Sequence, residues 1–190
     1  MQILAISGSL KATSTNSALL RAAAAIAPAG MRFTFFDQQL GELPHFRPDL
    51  DEEGMTPPPA VAALRSLLAE ADGVLISCPE YAHGVPGSFK NALDWIVSSG
   101  ELSGKPVSLL MASPSGARQA WAALSPTLLV MEASLVFEAS LVFARRHLAD
   151  DGRLADEELE ATVREALDSL AAAIRAAQAE ASSLPSGIVK

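Results

Sequence analysis

The chain has 190 residues, 49% of them apolar and 19% charged, which suits one folded domain with a proper core and excludes a disordered chain. A formal net charge of −8 argues against broad binding to nucleic acid or anionic membrane, and no apolar run approaches the roughly 20 residues a membrane span needs. The single cysteine, Cys78, excludes an internal disulfide. With an N-terminus that enters a strand without the charged start of a signal peptide, it makes the cytoplasm the expected location.

Strand and helix signals alternate from the first residue. Gln2–Ser7 is a short apolar strand, Asn16–Ile26 an Ala/Leu helix, and Met31–Phe36 a strand in which Arg32 and Thr34 alternate with apolar residues. Thr56-Pro57-Pro58-Pro59 opens a helix through Glu70, proline being tolerated in a first turn. Asp72–Cys78 reads as a strand buried on both faces, followed by a helix from about Pro86, and Lys105–Ala112 as another strand. Ala117–Met131 has helical spacing that Pro126 is expected to kink or end. Ser134–Phe137 is the fifth strand; the repeat Glu132-Ala-Ser-Leu-Val-Phe, Glu138-Ala-Ser-Leu-Val-Phe reads as that strand and its exit. Asp156–Ala181 is a long Ala-rich helix whose acidic start suits a helix N-terminus, and 182–190 reads as a flexible tail after a single domain, 1–181. Near-continuous apolar strands alternating with helices mean a parallel sheet covered on both faces, here of doubly wound order 2-1-3-4-5.

Two loops carry the chemistry. Ser7-Gly8-Ser9-Leu10-Lys11-Ala12-Thr13-Ser14-Thr15-Asn16-Ser17 joins the first strand to its helix, with five hydroxyls after Gly8, one cation and no carboxylate. A helix start adds free amides and a favourable dipole, so this loop suits a phosphate, whereas an N-cap alone would explain only one hydroxyl. It is neither a Walker loop nor the Gly-x-Gly-x-x-Gly fingerprint, which leaves a mononucleotide such as FMN at the switch point between strands one and three. The second loop, Pro79-Glu80-Tyr81-Ala82-His83-Gly84-Val85-Pro86-Gly87, is too rich in proline and glycine for regular structure and sits where such a sheet binds its ligand.

Together these loops resemble the NADPH-dependent FMN reductase family, which includes bacterial chromate, quinone and azo-dye reductases. Gly8-Ser9-Leu10-Lys11 followed by Ser14-x-Asn16 is similar to the family's phosphate loop, and Pro79-Glu80-Tyr81…Pro86-Gly87…Lys90-Asn91-Ala92…Asp94-Trp95 to its second signature. The resemblance implies a flavodoxin-like fold and hydride transfer from NADPH or NADH through FMN to a quinone, flavin, azo compound or metal oxyanion. It implies that Ser9, Lys11, Ser14, Asn16 and Ser17 hold the FMN phosphate, and that Pro79, Glu80, Tyr81 and Ala82 lie along the flavin ring. By the same resemblance, Ser113, Gly116 and Arg118 would belong to a third loop that closes over the ring, and a homodimer or tetramer is expected. Lys11 stands in place of the family's arginine, Ala82-His83 in place of an Asn-Tyr-type pair, and the third loop is shorter than usual. Two alternatives stay open: an electron carrier of flavodoxin type, and a flavin-free binding module.

The flavin carries the chemistry, so no catalytic side chain is required; Tyr81 and His83 are candidates for shaping the substrate face. No metal-ligand cluster or Ser-His-Asp arrangement stands out in the sequence. Cys78 reads as a small buried hydrophobe, Lys90 and Asp94 as a helical ion pair, and Trp95 as core or subunit interface. Glu80 either touches ligand or orients its loop through backbone amides. Phe46, in the proline-rich segment 43–49, requires a cover, for which the family's subunit interface is the expectation.

Overall fold

A computed structural model describes residues 1–183. The elements are β1 (Gln2–Ser7), α1 (Thr15–Ala25), β2 (Arg32–Phe36), α2 (Pro59–Glu70), β3 (Gly73–Cys78), α3 (Gly87–Asp94), β4 (Pro106–Ser113), α4 (Arg118–Val130), β5 (Ser134–Val142) and α5 (Glu157–Ser183). All strand pairs are parallel, in the order β2-β1-β3-β4-β5 expected from the sequence. The order reverses between β1 and β3, so the loops that leave those two strands diverge to opposite faces and frame a crevice.

Alternation along each strand divides the core in two. Leu4, Ile6, Val74, Ile76, Val107, Leu109 and Met111 pack under α2, α3 and α4, while Ile3, Ala5, Leu75, Leu110 and Ala112 pack under α1 and α5. The three central strands are buried apart from Gln2; of the edge strands, β2 alternates with exposure, while β5 is half-buried along most of its length. Among the described residues no helix is long and apolar enough to cross a membrane.

Three expectations change. The fifth strand does not end at Phe137 but runs to Val142, so both copies of the repeated hexad contribute to one strand. The charged Glu138 fails to end it because Trp121 Nε1 donates to its carboxylate at 2.8 Å. Val136 is skipped in the pairing between Val107–Leu135 and Ser108–Phe137, a bulge that single-strand periodicity does not reveal. Pro126 lies inside α4 without ending it. Pro126 and Ala122, whose carbonyl would have received the missing amide, both face solvent. Helix α5 continues through Ser183, past the Ala181 at which the sequence reading ends it, and the rest of the expected tail, 184–190, lies outside the described residues. Its acidic start is a helix N-terminus as read, with Asp156 Oδ1 accepting from the Leu159 amide at 3.0 Å.

Candidate functional site

The ends of β1 and β3 approach more closely than side chains would normally allow. The Gly8 amide donates to Ser77 O at 2.9 Å, and a Cβ on Gly8 would lie only 2.7 Å from Cys78 Sγ. Glycine at this position is therefore a condition of the crevice. Ser77 Oγ then donates to Asn16 Oδ1 at 2.8 Å, tying the first turn of α1 to β3. Asn16, expected on the phosphate, thus uses its carbonyl oxygen to hold the two loops in register.

The loop after β1 folds as the hydroxyls dictate. Ser14 caps α1, its Oγ accepting from the Ser17 amide at 3.3 Å, and the amides of Thr15 and Asn16 start a helix without intrahelical acceptors. Ser9 Oγ accepts from the Lys11 amide at 3.4 Å and shares a hydrogen bond with the Tyr81 hydroxyl at 3.3 Å. That last contact joins the first loop to the second.

The second loop turns back on itself. The amides and carbonyls of Tyr81 and Gly84 exchange hydrogen bonds at 3.0 Å, with Ala82 (φ 49°) and His83 (φ 59°) both left-handed between them. Such two-residue turns favour Asn-Gly, so Ala82-His83 holds local strain. The turn leaves Tyr81 53% exposed beside the crevice, while the His83 side chain is 80% exposed and does not line it.

Glu80 has a separate task. Its Oε2 accepts from the backbone amides of Gln119 at 2.9 Å and Ala120 at 3.0 Å, at the start of α4, and its Oε1 lies 3.4 Å from His83 Nδ1. The Ala120 amide, first among these contacts, holds the Glu80 carboxyl below its usual value, so it is ionised at neutral pH. Cys78 is fully buried, and burial pushes its thiol well above the ordinary range, which keeps it protonated and unreactive.

Ser9, Lys11, Ser14, Asn16, Pro79, Glu80, Tyr81 and Ser113 converge on one cavity, together with Thr13, Thr15, Ala112 and Pro114. Thr13 and Thr15, two further hydroxyls of the same run, line the cavity beside the residues that the resemblance implies. Ser17 faces a neighbouring cavity beside Arg21, Asp37 and Arg145. Ala82, Gly116 and Arg118 do not line the first cavity: Ala82 belongs to the turn, Gly116 (φ 74°) to the bend after β4, and Arg118 begins α4.

The rest of the second signature is structural. Asn91 Oδ1 accepts from the Phe46 amide at 2.8 Å, and its Nδ2 and Trp95 Nε1 donate to Pro44 O at 3.0 and 2.8 Å. Trp95 is buried and covers Phe46 edge-on, with ring centroids 5.1 Å apart. Phe46 therefore finds its cover within the chain. Lys90 and Asp94 form the expected helical ion pair.

The donor set suits a phosphorylated ligand: hydroxyls of Ser9, Thr13 and Thr15, the Lys11 ammonium and a helix start, with Glu80 as the sole carboxylate and already engaged by α4. Among the described residues no His, Cys, Asp and Glu cluster could hold a metal ion.

Comparisons with known proteins agree with this geometry. The family described as NADPH-dependent FMN reductase matches residues 1–148. An NAD(P)H-dependent FMN reductase of Pseudomonas aeruginosa is 32% identical over 176 residues, spanning 90% of this chain and 93% of that protein. A quinone reductase of Escherichia coli K12 is 38% identical over 119 residues, 61% of each chain. Among solved structures, FerB, a flavoenzyme NAD(P)H:(acceptor) oxidoreductase from Paracoccus denitrificans, aligns with a TM-score of 0.79 at 28% identity, covering 92% of this chain and 97% of that one.

Proposed function

The chain belongs to the NADPH-dependent FMN reductase family, and from that premise we propose how its own residues carry out NAD(P)H-driven, FMN-dependent reduction of quinones or free flavin. The observation that carries the reading is the convergence of the two loops. Ser9 and Tyr81, from the ends of β1 and β3, meet at 3.3 Å over one cavity whose remaining donors are those a phosphate requires.

FMN, when bound, supplies a ring that takes up and releases hydride. Lys11, Ser9, Thr13 and Thr15 hold its phosphate, with the α1 dipole adding attraction. Ser14 is committed to capping and acts by presenting the free amides of the first turn. Pro79, Tyr81 and the backbone of the second loop line the ring, and Ser113 closes the opposite wall. Tyr81 and His83 shape one open face, which donor and acceptor use in turn; this is the structural requirement for ping-pong turnover. No side chain has to move a proton for the transfer itself.

The same reading assigns small-molecule acceptors and no nucleic-acid partner, consistent with the net charge of −8. A single, buried and unpaired cysteine supports a cytoplasmic location. A homodimer is favoured by exposed Val97, Leu129 and Val130. Phe46, already covered by Trp95, does not add to that argument.

Purified protein decides the main point. It is expected to retain FMN, to be bleached by NADPH or NADH without oxygen, and to recover its colour on addition of a quinone. Flavin that stays oxidised in the presence of both nucleotides would replace this reading with an electron carrier, and protein that ignores added FMN would replace it with a binding module. Light scattering during size-exclusion chromatography tests the dimer.

A further inference from the structure

We infer that Glu80 is a positioning residue: without touching the flavin, it clamps the second loop to the start of α4 and thereby sets the third loop over the same cavity. The inference rests on the FMN reading for its consequence, though not for its geometry.

Helix α4 has no cap of its own. The residue at its N-cap is Ala117, which offers no side-chain acceptor, and its first turn contains no acidic residue. The two amides that a capping side chain would satisfy are those of Gln119 and Ala120, at the second and third helical positions. Glu80 Oε2 takes both, at 2.9 and 3.0 Å, from a loop at the end of a different strand. With its amide turned, the Gln119 side chain also donates to both carboxylate oxygens, at 3.2 and 3.1 Å. The Glu80 side chain is only 9% exposed. Its oxygens are thus engaged by α4 and by His83, which leaves little acceptor capacity to aim at a ligand.

The clamp joins two segments whose own local hydrogen bonds do not tie them to each other. On one side is the Tyr81–Gly84 turn, which holds two left-handed non-glycine residues. On the other is the short run Ser113–Ala117, which reverses through Gly116 (φ 74°) and is otherwise held by the Gly116 amide to Ser113 O at 3.2 Å and the Phe143 amide to Ser113 O at 2.8 Å. Both segments border the cavity, through Tyr81 on one side and Ser113 with Pro114 on the other. A charge-assisted double hydrogen bond from Glu80, just before the turn, to the first turn of α4, just after the run, fixes the cavity's width before any ligand arrives.

The test uses apo protein first, then FMN. In Glu80→Ala, amide exchange at Gln119 and Ala120 should rise by about 30-fold, with faster exchange also in 81–84, while the interior of α3 is unchanged. The FMN dissociation constant should rise by about tenfold or more, with the bound flavin's absorption spectrum unaltered. Glu80→Gln, which keeps an acceptor without the charge, should fall between wild type and Glu80→Ala in both measurements. A third variant, Ala117→Ser combined with Glu80→Ala, supplies a local cap. Recovery of α4 protection without recovery of FMN affinity supports the clamp; recovery of both shows that helix capping alone mattered and overturns it. Unchanged exchange at Gln119 and Ala120 in Glu80→Ala also overturns it, as does a changed flavin spectrum with exchange unchanged, which would mean direct contact. If wild-type protein binds no FMN, the functional reading fails, while the exchange data still decide whether the clamp exists.

Discussion

Replacing Gly8 with alanine tests whether the approach of β1 to β3 sets the site. The new Cβ would lie 2.7 Å from Cys78 Sγ, 3.3 Å from Cys78 Cβ and 3.3 Å from Pro79 Cδ. Cys78 is fully buried and the proline ring is rigid, so neither neighbour can swing into solvent. The end of β1 must instead move away from β3, against the Gly8 amide bond to Ser77 O. Overpacking of this kind costs about 1–3 kcal/mol. Alanine returns about 0.4–1 kcal/mol by restricting the unfolded chain, so the middle of each range leaves a net loss of about 1.3 kcal/mol. For a chain of this size that is a fall in Tm of about 3–5 °C. FMN affinity should fall too, because the same movement separates Ser9 from Tyr81. Cys78→Ala removes the atom at 2.7 Å, so the double variant should be more stable than additivity allows by about 1 kcal/mol. Urea unfolding of the four proteins measures this coupling. Strict additivity, or a Gly8→Ala protein as stable and as tight for FMN as wild type, would refute the reasoning.

Four further outcomes follow from the structure. Ser9→Asp puts a carboxylate among the phosphate donors and should abolish FMN retention in a folded protein; flavin content after purification reads it directly. Asn91→Ala leaves the Phe46 amide and Pro44 O short of partners and should cost about 1–3 kcal/mol in urea unfolding with FMN binding unchanged; a loss of flavin would place Asn91 in the site instead. Ala82→Gly relieves a left-handed alanine and should stabilise the protein by about 0.5–1 kcal/mol, and a lower Tm would argue against the strained turn. The Glu80 carboxyl is held below its ordinary value of 4.5, chiefly by the Ala120 amide. Its contribution is therefore present above about that pH and disappears as pH falls through the lower folded value. The stability gap between wild type and Glu80→Gln should close on acidification, and a gap that widens would contradict the sign.

The sequence by itself determined the architecture and the kind of ligand. Near-continuous apolar strands, prolines and glycines at their ends, and a run of hydroxyls before a helix are local signals, each read within a few residues because periodicity and turn chemistry act at that range. They sufficed for the parallel order and for bringing Ser9, Lys11 and Ser14 toward Pro79 and Tyr81. Which partners individual side chains meet was decided at longer range. Glu138 keeps β5 going because Trp121 reaches it, Phe46 is covered because Trp95 lies under it, and Asn16 spends its carbonyl on Ser77. Gly8 is required by a cysteine at the end of another strand. Glu80 looks, in sequence, like one more ligand contact, yet its partners are amides in a helix that the chain reaches only after another strand. A side chain's partners are chosen by packing across the fold, and one-dimensional spacing carries no record of that choice.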